Sequence, residues 1–303
     1  MVASETIEKV RAFREKSDEI EASYRTFMAA SVSAELQDSI FLMMKSYFLM
    51  SVILESPENT TNRPDHDVLH LLMTRVMKTF RSITVLIADG CEQDATALLR
   101  NLTETFFTIK YIGSDRTGKL SKRFKDFAAV ERQNQVVYYR RYEQEGHILE
   151  PPFDSAHTLK FEEDFKAYLA EHSNNTTSWS GLGMRKLAGQ LKMPELYLRG
   201  YSMYCAFTHP SYLSKPFYAY KSFITWIPTF ERIGHLSTLA VDQTKQATEV
   251  FLSSLGSMTE PKRYILHEID YNVASRMMRL EGPIKDKRYD IPLGKWGISP
   301  ILA

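Results

Sequence analysis

Asp94-Ala-Thr-Ala-Leu-Leu-Arg100-Asn-Leu-Thr-Glu104-Thr-Phe-Phe107-Thr-Ile-Lys-Tyr111 is the stretch from which the fold is read. Residues three and four apart share one face of a helix. Arg100, Glu104, Phe107 and Tyr111 therefore form one stripe, and Leu99, Leu102, Phe106 and Ile109 an apolar stripe beside it. A charged pair next to so much apolar surface is either half-buried or part of a site, because unpaired charges are seldom buried.

The same periodicity continues in both directions, and no run alternates as a strand would. Immediately upstream, a helix from about residue 65 carries Val68, Leu69, Leu72, Val76, Phe80, Ile83 and Ile87 on its buried side. It ends at Asp89-Gly90, where glycine suits a left-handed C-cap, and so short a connection makes the two helices antiparallel neighbours. Before them, residues 34–54 form a helix apolar on most sides, as a central bundle helix would be. A first helix starts at Ser4 and runs to about residue 30. Downstream, helices are expected over 120–145, 161–171, 184–191 and 194–207, then over 229–255 and 260–280. Residues 146–158 read as a loop, 211–228 as an ordered, aromatic-rich loop, and 282–303 as a tail wrapping the surface. The expectation is a single all-α domain spanning 1–303, a multi-helix bundle.

Bulk composition narrows the partners. The chain has 303 residues, 38 lysines plus arginines against 37 acids, and two cysteines. That balance supplies no global field for nucleic acid or an anionic membrane. Cys91 and Cys205 lack ligand spacing and suit a reducing compartment. The polar, acidic N-terminus is no signal peptide. The longest apolar run, 40–54, is shorter than the ~20 residues of a spanning helix. A cytoplasmic protein with no membrane partner is expected, in which the sequons at Asn59, Asn101 and Asn175 carry no meaning.

Chemistry-bearing residues are few. His66 and His70, four apart, have a spacing that can ligate zinc, but no third ligand or His-Glu-x-x-His glutamate accompanies them, so they read as ordinary histidines at a helix start. Arg263 and His267 stand one turn apart, one residue short of the Arg-x4-His spacing of many helical ribonucleases. Arg140 and Arg141, with Tyr138, Tyr139 and Tyr142, could hold and stack single-stranded nucleic acid, although such a face is more often simply solvated. His209 stands at a helix C-terminus, where the macrodipole favours imidazolium and Pro210 turns the chain. A histidine so placed can exchange protons near neutral pH or merely cap the last carbonyls. Tyr201, Ser202, Tyr204 and Cys205 lie on the turns before it.

These elements together resemble a known group. Arg75, Leu86-Ile-Ala-Asp-Gly90, Ala95 to Leu99, Arg100-x-x-x-Glu104, Tyr111-Ile112, Trp179-Ser-Gly181, Met184-Arg185-x-Leu-Ala188 and the closing His209-Pro210-Ser211 are similar to a bacterial helical family. It is catalogued as domain of unknown function fifty-six seventy-seven. The resemblance covers a core of residues 65–212. The family usually carries a serine four residues before the histidine, and Cys205 takes that place here. Its arginine, glutamate and histidine are in turn similar to those of the HEPN superfamily, small helical bundles that often act as metal-independent ribonucleases in toxin and phage-defence systems.

The resemblance implies a HEPN-like core with extra N- and C-terminal helices, and two functions are carried forward. One is a metal-independent RNA endonuclease needing no cofactor. His209 would be its acid or base, Arg100 its phosphate clamp, Glu104 the group orienting either, and Tyr111 a stacking or hydrogen-bonding contact. The other makes Arg100, Glu104 and His209 a structural network in an interaction or sensor module of a defence or regulatory assembly. RNA, a protein partner and a second copy of the chain are the partners these readings allow.

Overall fold

The computed structural model describes residues 34–55, 59, 66–147, 155–172, 176–208, 219–220, 223–224 and 233–280. The helix expected before residue 31 and the tail after 281 lie outside these residues, as does His209.

The fold is an all-α multi-helix bundle. Its elements are α1 (Ala34–Leu54), α2 (Asp67–Ala88), α3 (Glu92–Gly113), α4 (Lys119–Asp126), α5 (Ala128–Gln144) and α6 (Ser155–Glu171), then α7 (Met184–Gln190), α8 (residues 194–208), α9 (Ile233–Leu255) and α10 (Glu260–Leu280). Between α8 and α9, Ala219–Tyr220 pairs antiparallel with Phe223–Ile224. This minimal hairpin was not visible in a loop that lacks alternation.

The α2–α3 pair forms as its periodicity dictates. Val68, Leu69, Leu72, Val76, Phe80, Ile83 and Ile87 are buried, and so are Leu99, Leu102, Phe106 and Ile109. Gly90 takes the left-handed φ of 76° that turns the chain between them. Within the stripe of Arg100, Glu104, Phe107 and Tyr111, Phe107 is fully buried, while Arg100 and Glu104 stay partly open.

The central helix is α9, which packs on α1, α2, α3 and α10. Between the large residues Leu236, Phe251 and Leu252, its buried face carries small ones, among them Ser237, Ala240, Thr244, Ala247 and Thr248, which let neighbours approach. The threonine hydroxyls are satisfied by their own helix, Thr244 on the Ala240 carbonyl at 2.7 Å and Thr248 on the Thr244 carbonyl at 2.9 Å. At the α3–α9 crossing a Cβ added to Gly113 would stand 2.5 Å from Val250 Cγ1 and 2.9 Å from Ser254 Oγ. Only glycine allows that approach.

The expected central helix, α1, is in fact one-sided. Leu42, Met43, Met50 and Ile53 face the core, whereas Phe41, Met44, Phe48 and Val52 are exposed. Its C-terminal end is closed by Asn59, whose Nδ2 donates to the carbonyls of Ile53 (2.7 Å) and Leu54 (2.8 Å). Lys262 of α10 in turn donates to Asn59 Oδ1 at 2.9 Å and to the Ser257 carbonyl at 3.0 Å.

Two helix boundaries differ from expectation. The single helix expected over 120–145 breaks at Phe127 into α4 and α5. The turn lets Phe127 meet Tyr168 edge-on, 6.0 Å between centroids, in a small second cluster with Ala129 and Val130. The following helix starts at Ser155 rather than 161. No helix among the described residues is long and apolar enough to cross a membrane.

Candidate functional site

The site is built on two helix faces. On α3, Arg100 and Glu104 are one turn apart, with Nη1 to Oε2 at 3.5 Å. Facing them is α8, which is α-helical at Pro194–Leu196, π-helical at Tyr197–Tyr201 and α-helical again at Ser202–Thr208. A π segment closes wider i→i+5 turns within an α-helix and is frequent at functional sites. Here it holds Gly200, packed against Leu196 and Tyr204, and a stacked pair, Tyr197 and Tyr201, with centroids 5.6 Å apart.

Arg100 joins the two faces. Its Nε donates to Cys205 Sγ at 3.3 Å, its Nη2 to Tyr201 Oη at 3.0 Å and its Nη1 to Asn101 Oδ1 at 3.3 Å. Its Cζ also lies 5.0 Å from the Tyr201 ring centroid, within cation–π range. The side chain remains 20 % exposed, and that of Glu104 43 %, so the pair is not sealed in the core. Partial burial works against the Arg100 charge, but the Cys205 acceptor, Tyr201 and Glu104 outweigh it and raise the guanidinium above its ordinary value. Burial first, then the Glu104 carboxylate, pushes the Tyr201 phenol up. Behind it, burial pushes the Tyr204 phenol up to about 12, and its hydroxyl has no partner among the described residues.

In the sequence Tyr201 and Cys205 stand out only as neighbours of His209. Their spacing of four puts them, with Tyr197, on one face, a signal that they act together. Their engagement with Arg100, more than a hundred residues away, carries no local signal. Thr208 is the last described residue of α8 and immediately precedes His209 in sequence.

The remaining candidates are held elsewhere. Tyr111 packs on Trp179 at 5.9 Å, and Trp179 meets Phe124 edge-on at 5.2 Å, so the Trp179-Ser-Gly181 motif fastens the α3–α4 corner. Arg140 pairs with Glu162 across α5 and α6 at 2.8 Å, while Arg141 and Tyr142 are exposed on the same helix. His70 lies edge-on to Phe251 at 4.9 Å. His66 precedes α2 and is buried. Arg263 and His267 are exposed on α10.

One group among the described residues could hold a metal: Asp126, Glu171 and His172, with ligand atoms within 4.8 Å. Its demand for a cation is met by Lys122, whose Nζ lies 2.6 Å from Asp126 and 2.7 Å from both Glu171 oxygens. A separate cleft of about 620 Å³ lies at the C-terminal end of α3, with Lys110, Arg116 and Glu249 on its walls.

Among curated proteins and among solved structures, nothing matches the chain. Residues 66–219, half of the chain, match the Family of unknown function (DUF5677). The match takes in α2 to α8, with Arg100, Glu104, Tyr201, Cys205 and His209, and the chain belongs to that family.

Proposed function

We propose that the chain is a metal-independent RNA endonuclease of toxin or phage-defence type, acting at Arg100. The observation that carries this reading is the state of the Arg100 guanidinium. Three of its five N–H groups are fixed by Cys205, Tyr201 and Asn101, which sets its orientation. Its partial exposure leaves donors for a phosphate oxygen. A prefixed cation stabilises the charge that develops on a phosphorane. His209, one residue beyond Thr208, is the proposed acid or base for the 2′-hydroxyl and the leaving oxygen, and Glu104 the group that orients Arg100.

The test is cleavage of end-labelled single-stranded RNA in excess EDTA. Products should end in 2′,3′-cyclic phosphates, and RNA with 2′-deoxyribose at the cut site should survive. His209→Ala and Arg100→Gln should each abolish cutting. Intact RNA after incubation with folded protein would overturn the proposal.

A second reading, a non-catalytic interaction module in a defence or regulatory assembly, is favoured by the apolar side chains left open on α1 and α10.

A further inference from the structure

Six large side chains stand open on the α1–α10 pair: Phe41, Met44, Phe48, Val52, Tyr264 and Tyr271, each 49–72 % exposed. Spacings of three and four put the first four on one stripe of α1, and Tyr264 and Tyr271 share a face of α10. The stripes adjoin. Lys45, four residues from Phe41 and three from Phe48, reaches Glu268 at 2.7 Å. Glu268 lies within one turn of both tyrosines. The Asn59–Lys262 contact joins the end of α1 to the start of α10, so the two helices run antiparallel.

Aromatic side chains of this kind bury about 150–250 Å² each, so the open surface totals roughly 700 Å². The largest apolar patch on a typical monomer is about 300–600 Å², whereas a stable interface takes ~800 Å² from each partner. The composition also fits an interface centre, rich in aromatic residues and methionine and poor in charge.

Charge selects the occupant. At its centre the face carries one cation and one anion, Lys45 and Glu268, each about a third exposed. Glu55, Glu260 and Arg263 at its edge are mixed in sign as well. Such a face offers no net field to a basic or an acidic partner. It can complement itself: a two-fold axis through this centre would set the Lys45–Glu268 pair of one copy antiparallel to that of the other, each cation facing the other copy's anion. We propose that the α1–α10 face is a self-association surface that joins two copies of this chain in a two-fold dimer. The proposal is independent of the chemistry assigned to Arg100.

Sedimentation equilibrium of the full chain at tens of micromolar tests it. The expected mass is twice the 35.0 kDa of one chain, and a single-chain mass overturns the proposal. Phe48→Glu should shift the protein to the single-chain mass with an unchanged far-UV circular dichroism spectrum. If that variant folds and keeps the double mass, the α1–α10 face is not the contact and the proposal falls. Tyr264→Glu makes the same test from the other helix and decides the matter if Phe48→Glu unfolds.

Discussion

Arg100→Gln separates a site from a structural strut. In the native chain the guanidinium makes a 3.5 Å ion pair with Glu104, hydrogen bonds to Tyr201, Cys205 and Asn101 and a cation–π contact with Tyr201. A partly exposed i,i+4 ion pair contributes about 0.3–0.5 kcal/mol, and an exposed cation–π contact about 0.5–1 kcal/mol. The hydrogen bonds add little net stability where water reaches the freed partners, and neither Tyr201 nor Cys205 is fully buried. The sum is about 1–2 kcal/mol. For a chain of this size that lowers Tm by roughly 2–6 °C. Urea unfolding followed by far-UV circular dichroism measures the difference directly. Stranding Glu104 in a sealed core would instead cost about 3–5 kcal/mol. A loss of that size would refute the open-site argument and leave Arg100 as a packing element.

At the α3–α9 crossing, Gly113→Ala should destabilise the fold by about 1–3 kcal/mol through overpacking against Val250 and Ser254. Val250→Ala in the same chain should recover most of that loss, which a double-mutant cycle of thermal melts checks. Asp115 predicts an acid-sensitive loop: burial opposes its charge, but hydrogen bonds from Thr117 and from the Leu120 and Thr117 amides outweigh burial and hold the carboxyl below its ordinary 3.8. Its contribution is therefore fully present above pH 3.8 and lost as pH falls through the lower folded value. Asp115→Asn should lower stability at neutral pH and flatten the acid limb of a stability–pH profile.

What was legible in the sequence follows from how local each interaction is. The main apolar stripes of α2 and α3 depend on spacings within one helix and were readable, as was the Gly90 turn. Arg100 and Glu104 are one turn apart, so their pairing was readable too. The full burial of Phe107 was not readable, because a stripe drawn on one helix does not show what packs over it; Thr103, one turn earlier, meets Gln243 of α9. The identity of the central helix was hidden for the same reason: apolar content alone does not separate α1, with an open face, from α9, whose buried face includes serines and threonines. The π segment of α8 has no local signature beyond Gly200. The Cys205 and Tyr201 contacts to Arg100 span more than a hundred residues, and the Asn59–Lys262 contact spans 203; nothing in a window of sequence encodes them.

Asn59 begins Asn59-Thr60-Thr61, the acceptor pattern for an N-linked sugar. The nitrogen that would carry the sugar is the one that closes α1, and in the folded chain Asn59 is only 2 % exposed. Glycosylation and folding therefore compete for one atom. Lys262 is made 203 residues later, on the order of tens of seconds at ~5–20 residues per second, ample time for a transferase in a secretory host to win. A glycan there would hold the end of α1 away from α10. Export of the chain through an N-glycosylating secretory pathway would therefore keep this end of the bundle from closing, and production in a compartment without N-glycosylation preserves it.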